Sequence, residues 1–180
     1  MSTLLLRLSG PLQSWGVSSK FNNRSTEKEP SKSGVIGMVA SALGRPRDAP
    51  LDDLSALRFG VRVDQPGKLI RDYHTAHNPE DEKLAYITNR YYLSDATFLV
   101  GLEGDREMLD GLDQAIRTPF YPLFLGRRSC PPSGKISLGI RDANLEEALA
   151  SEPWLASDWY AKRQPKEVLL DLVIDSQAVS

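Results

Sequence analysis

Residues 3–8 (TLLLRL) are an apolar run with one charge, closed by Gly10 and Pro11, a pattern that predicts a central strand ending in a loop. Residues 9–32 are polar and basic without a readable period, and loops of this length inside compact domains are usually functional or disordered. Ser31 or Ser33 then opens a helix over 34–43 (GVIGMVASAL), with Val35, Ile36, Val39 and Leu43 at helical spacing and Gly44 just past its end. Gly34 and Gly37 weaken that helix, which suggests close approach by another group. Residues 51–57 make at most a turn or two. Residues 58–64 (RFGVRVD) alternate Phe59, Val61 and Val63 with Arg58, Gly60, Arg62 and Asp64, the period of a half-buried strand.

From 68 to 94 two β-leaning ends, 68–75 and 85–93, enclose the turn cluster NPEDEK, which predicts an exposed, protruding hairpin. Residues 96–103 (ATFLVGLE) read as a buried strand. Residues 105–116 place Met108, Leu109, Leu112 and Ile116 on one face of a second helix that Pro119 stops. Residues 117–135 hold four prolines and two glycines around FLGRRSC, and 136–140 (ISLGI) return to strand character. Asn144 with Glu147 marks the start of a short helix ending near Ser151, and 167–174 (EVLLDLVI) read as a last strand. The order is that of an α+β, ferredoxin-like βαββαβ palm with a hairpin inserted at about 68–94 and a Gly/Pro-rich loop at about 117–135. Residues 1–180 form one domain in this reading, without internal repeats.

Composition agrees with a globular domain: 41% hydrophobic and 26% charged residues in a 180-residue chain. Folding a chain of this length removes roughly 70% of its unfolded surface from water, so no disulfide or structural metal is required. One cysteine, no basic region before the first apolar run and no apolar stretch of about 18 residues predict a soluble cytoplasmic protein without membrane association. The net charge of −2 is no nucleic-acid footprint, but it is an average. Residues 1–50 carry 7 basic and 3 acidic groups, whereas residues 51–120 carry 8 and 13, so any anion site is local.

His74 and His77, three apart in RDYHTAH, lack a cysteine or carboxylate at a supporting spacing, so no metal is assigned. His74 could act as a general base in RNA cleavage, but no partner for it is evident. Cys130, beside two prolines, reads as a buried small hydrophobe. There is no phosphate-cradling GxxxxGK[ST] loop and no GxGxxG fingerprint, and no cofactor is assigned. More informative is LGRRSCPPSG at 125–134, where Gly126 allows a backbone that a Cβ would forbid and Pro131 and Pro132 stiffen the far side. That frame holds Arg127 and Arg128 for phosphate binding or for surface ion pairs; spacing alone leaves both open. The hairpin interleaves Arg71, Tyr73, His74, Tyr86, Arg90, Tyr91 and Tyr92, a mixture suited to single-strand stacking plus charge, or to rings packed on their own domain. In the first loop Gln13, Trp15, Lys20, Arg24 and Lys32 precede a helix N-terminus.

Five segments in register carry a family likeness: LRLSGPLQSWG at 6–16, SKSGVIGMVASALG at 31–44, LIRDYHT at 69–75, NRYYLSDATFLV at 89–100 and YPLFLGRRSCPP at 121–132. Together they resemble the Cas five (CasD) family of the type I-E CRISPR Cascade surveillance complex. The resemblance implies a noncatalytic RNA-binding subunit of the RAMP superfamily, with an RRM-like palm and a hairpin thumb. Such a subunit grips the five-prime handle of mature CRISPR RNA (crRNA) and caps one end of the complex. Implied partners are the repeated backbone subunit and the large subunit, with target DNA reached only through the complex. Implied RNA contacts are Gln13, Trp15, Lys32, Ser33, Arg71, Tyr73, His74, Arg90, Gly126, Arg127, Arg128 and Ser129. A metal-independent endoribonuclease using Tyr73 or His74 and a purely structural assembly subunit are the alternatives. The strand ATFLVGLE lacks the ring and cation signature of a base-stacking sheet, so recognition is expected from the loops and thumb. The chain is also shorter at its C-terminal end than the likeness leads one to expect.

Overall fold

The computed structural model describes residues 1–16, 19–20, 23–78 and 81–175, the backbone alone at 19–20, 76–78 and 81–85. Its first half runs β1 (Ser2–Ser9), β2 (Leu12–Gln13), β3 (Ser19–Lys20), β4 (Asn23–Arg24), α1 (Lys32–Ala42), α2 (Asp52–Ser55), β5 (Arg58–Gln65), β6 (Lys68–Asn78) and β7 (Asp81–Ser94). The second half runs β8 (Thr97–Gly104), α3 (Arg106–Arg117), β9 (Ser137–Arg141), α4 (Leu145–Ser151), α5 (Asp158–Ala161) and β10 (Leu172–Ile174).

Helix boundaries follow local chemistry. Ser31, not Ser33, caps α1, its hydroxyl accepting from the Gly34 amide at 3.3 Å. Asp105 accepts from the Glu107 and Met108 amides at the start of α3, and Asn144 from the Glu147 amide of α4. One sheet has the order β10-β5-β8-β1-β9, every pair antiparallel. Without β10, this is the ferredoxin-like arrangement: α1 connects β1 to β5 across β8, and α3 connects β8 to β9 across β1.

The pleat of β1 sends Leu4, Leu6 and Leu8 into one core and Leu5 into another. The larger core joins Phe98, Val100 and Leu102 of β8 to Val35 and Val39 of α1 and to Leu109, Leu112 and Ile116 of α3. On the opposite face α4 presses Leu145 and Leu149 onto Leu5 and Leu99. Gly60 and Gly101 face each other across β5 and β8, and a Cβ on Gly60 would lie 2.9 Å from Leu149 Cδ1. Small residues let the helix approach there.

That second layer corrects the half-buried reading of 58–64, because the polar side of β5 is buried too. Arg62 forks onto Asp64 at 2.8 Å and donates to the carbonyls of Leu149, Glu152 and Pro153. Asp64 in turn accepts from the Leu155 amide at 2.6 Å. Burying these charges is tolerable because each is paired and hydrogen-bonded. The last strand is shorter than expected, only Leu172–Ile174 pairing with the edge of β5.

The hairpin β6–β7 forms the spine of a second sheet. Along the other edge of β7 lie β2, antiparallel, and β4, parallel, with β3 beyond β4. The stretch 9–32 is therefore more than a loop: three two-residue strands cross it, each too short to leave a period in the sequence.

Candidate nucleic-acid interface

Three segments far apart in sequence meet at the base of the hairpin. The Ser14 amide donates to the Leu125 carbonyl at 3.1 Å, and the Ser14 hydroxyl to the Tyr91 carbonyl at 3.1 Å. Gly126 has φ +86°, and a Cβ there would overlap the Ser14 carbonyl oxygen, so the loop closes on the first segment only with glycine. Leu125 and Cys130 brace the loop, the Leu125 amide on the Cys130 carbonyl at 2.7 Å. Cys130 is buried as expected; burial pushes its thiol up, against the opposing effects of the Ser129 hydroxyl and the Arg127 charge.

Gln13 and Trp15 require a correction. Trp15 is 1% exposed and its indole N–H donates to Gln13 Oε1 at 3.0 Å; Gln13 Nε2 donates to the carbonyls of Leu8 and Ala96. Neither side chain reaches the surface, so the direct RNA contact expected of them becomes a supporting role. The Trp15 ring fills the space beside Gly34, where a Cβ would come within 2.9 Å of it. That accounts for the first helix glycine.

The adjacent arginines also part company. Arg127 spends its fork internally, Nη2 donating to the Arg24 carbonyl at 2.9 Å and Nη1 to the Tyr91 carbonyl at 3.4 Å, with its guanidinium 4.9 Å from the centre of the Tyr92 ring. It ties together the three segments, and the free phosphate fork expected of it is not displayed. Arg128 and Ser129 are exposed, and Arg128 makes no ion pair among the described residues. At the start of α1, Lys32 pairs with Asp175 at 2.8 Å while Ser33 is exposed.

Register divides the hairpin residues between two faces, because directly paired residues share a face and neighbours along a strand do not. Arg71 lies opposite Tyr91 and Tyr73 opposite Asn89 on one face, together with Leu69 and Ile87. His74 lies opposite Thr88 and Asp72 opposite Arg90 on the other. Arg24 of β4 is in register with Arg90 and so joins this second face, where Arg127 also covers Tyr92. The predicted thumb contacts therefore do not form a single surface.

The second face concentrates uncompensated charge. Arg24 and Arg90 are in register on neighbouring strands, and no carboxylate makes an ion pair with either guanidinium among the described residues; Asp72, across from Arg90, has its ion-pair contact with His74 Nδ1, at 4.0 Å. Arg90 Nε is shut off from solvent without a hydrogen-bond partner. Like charges placed opposite each other and a buried unsatisfied donor both cost stability. An anion bound beside the two guanidiniums would relieve the repulsion between them. Arg24 was legible as a loop cation, but its place beside Arg90 depends on a parallel pairing that leaves no mark in the sequence. Lys20 and His77 have side chains outside the described residues. Among the described residues no group of three or more His, Cys, Asp or Glu side chains is placed to hold a metal, and no helix is long and apolar enough to cross a membrane.

Residues 3–177 match the family described as CRISPR-associated protein (Cas_Cas5). The Cascade subunit CasD of Escherichia coli K12 is 32% identical over 182 residues, covering 89% of this chain and 81% of that protein. A Cas protein of known crystal structure is 50% identical, with a TM-score of 0.71, covering 85% of this chain and 72% of its own. A chain from a CRISPR RNA-guided surveillance complex is 38% identical, with a TM-score of 0.74, covering 82% of this chain and 66% of its own.

Proposed function

Because the chain belongs to the Cas5 family of CRISPR-associated proteins, we propose that it is a noncatalytic subunit of a Cascade-type surveillance complex that grips the five-prime handle of mature crRNA. The observation that carries this reading is the Arg24–Arg90 pair, in register on neighbouring strands, with no ion pair to a carboxylate among the described residues. Phosphate oxygens suit paired guanidiniums, and Arg127, stacked on the Tyr92 ring, holds the Arg24 carbonyl. Arg128, Ser129 and Ser33 extend the polar surface at the loop and helix start, whereas Gln13, Trp15 and Arg127 hold the frame.

The other hairpin face, with Leu69 63% and Tyr73 60% exposed beside Arg71, suits a neighbouring subunit or a stacked base. In this reading the backbone and large subunits are the protein partners, and target DNA is met only through the assembly. For the alternative of cleavage by Tyr73 or His74, the alternation of the strand puts the two on opposite faces of β6, so they would not serve together as acid and base on one phosphate.

The test is binding of labelled handle RNA across a salt series by the assembled complex. Replacing Arg24 and Arg90 with Ala should weaken binding and flatten the slope by about 0.7 log unit per lost single-strand phosphate contact. An unchanged slope removes the pair from the interface, and crosslinks placing the handle against another subunit overturn the assignment. Metal-free, site-specific cutting abolished by His74→Ala would replace it with the nuclease reading.

A further inference from the structure

The second helix glycine, unlike Gly34, has no explanation inside the chain. A Cβ at Gly37 would have nothing within 4 Å, although glycine in mid-helix is unfavourable relative to alanine. Openness alone proves little, since Gly111 on α3 is equally open. Gly37, however, lies on the wall of a cavity of about 710 Å³ between α1 and the segments 45–51 and 121–128. Ala40, Leu51, Tyr121 and Phe124 are among the remaining lining, and Arg47 and Arg128 stand at it with no ion pair among the described residues.

The walls are held independently of any occupant. Arg45 donates to the Pro50 carbonyl at 3.0 Å and forks onto Asp53, fixing the segment that carries Arg47. On the other side the Phe120 amide donates to the Ala42 carbonyl at 2.9 Å, tying the segment before Tyr121 to the end of α1. Phe120 and Tyr121 remain exposed beside it, 70% and 49%.

We propose that this cavity docks a partner protein through one apolar or aromatic side chain flanked by an acidic residue, Gly37 leaving room for the side chain and Arg47 meeting the carboxylate. The lining is mainly hydrocarbon and ring, which a Leu or Phe side chain fills without needing hydrogen-bond partners, and Arg47 on its wall supplies a cation for a neighbouring carboxylate.

Gly37→Leu is the discriminating variant, because it fills the cavity from a helical position where the larger residue has space and better helix propensity. The probe is a fluorescein-labelled set of 12-residue peptides with a central Leu, Phe or Trp between Asp and Glu residues, titrated with the full chain. At least one should bind, lose tenfold or more of its affinity to Gly37→Leu, and lose threefold or more, with weaker salt dependence, to Arg47→Ala. Ser in place of the central residue should abolish binding. Handle RNA binding by a complex carrying Gly37→Leu should stay within twofold, which separates this site from the RNA reading. The proposal is overturned if no peptide binds, if Gly37→Leu binds peptide as the parent does, or if that variant, still folded, loses RNA affinity instead and so gives the cavity to nucleic acid.

Discussion

The two sheets of this protein use the same antiparallel pairing and handle their polar groups in opposite ways. In the palm sheet most charges are matched: Arg58 with Glu103 and Glu146, Arg62 with Asp64, and Arg141 with Glu152. Glu103 also accepts from the Leu145 amide at 2.7 Å and so seats the helix that covers the sheet. In the hairpin sheet Arg24, Arg71 and Arg90 have no carboxylate partner among the described residues, and Leu69, Tyr73, Tyr86 and Ile87 stand in water. The hairpin presents cations and apolar side chains that have no complement among the described residues.

The largest effect should come from the palm. Phe98→Ala removes a fully buried ring and should cost about 3–5 kcal/mol in a urea unfolding series, while Tyr73→Ala on the hairpin should stay within about 0.5 kcal/mol. Equal losses would end the contrast. Next comes the joint between the two regions. Gly126→Ala combines a left-handed backbone with a clash against the Ser14 carbonyl and should destabilise by about 2–4 kcal/mol, impairing RNA binding as the loop shifts.

The neighbouring arginines sharpen the comparison further. Arg127→Ala should lower stability by about 1–2 kcal/mol, because it strips hydrogen bonds from the carbonyls of Tyr91 and Arg24. Arg128→Ala should leave the melting temperature alone and flatten the salt slope of RNA binding by about 0.7. If the two variants behave alike, their division into frame and contact is wrong.

The smallest effect is one of pH. Arg45 beside Asp53 holds that carboxyl down at about 2, chiefly through their hydrogen bonds. The folded value lies below the unfolded one near 3.9, so the stabilisation is present above about pH 4 and fades as pH falls towards 2. Melting curves of the parent and Asp53→Asn should differ at pH 5 and converge near pH 2.

Much of the architecture was legible because its signals are local. The apolar runs at 3–8 and 96–103, the face Leu109–Leu112–Ile116 and the Asn144 cap each lie within one element, and each element formed where its period placed it. The hairpin was legible for the same reason, its two β-leaning ends enclosing one turn cluster. The half-buried reading of β5 failed because Arg62 and Asp64 look solvent-facing until a segment 90 residues later supplies carbonyls and an amide to bury them.

Among the site residues, composition alone identified cations, rings and a glycine turn, and Gly126 was read with its backbone role already visible. Side-chain direction and partnership were settled only by contacts between distant segments. Trp15 went inward because Gly34 leaves it room, and Arg127 turned to carbonyls that the hairpin and β4 bring within reach. Arg24 came to stand beside Arg90 through a two-residue strand with no sequence period. Periodicity records how a residue relates to its own neighbours along the chain. Which polar group is left wanting a partner depends on what the rest of the chain has brought alongside, and only the folded molecule determines that.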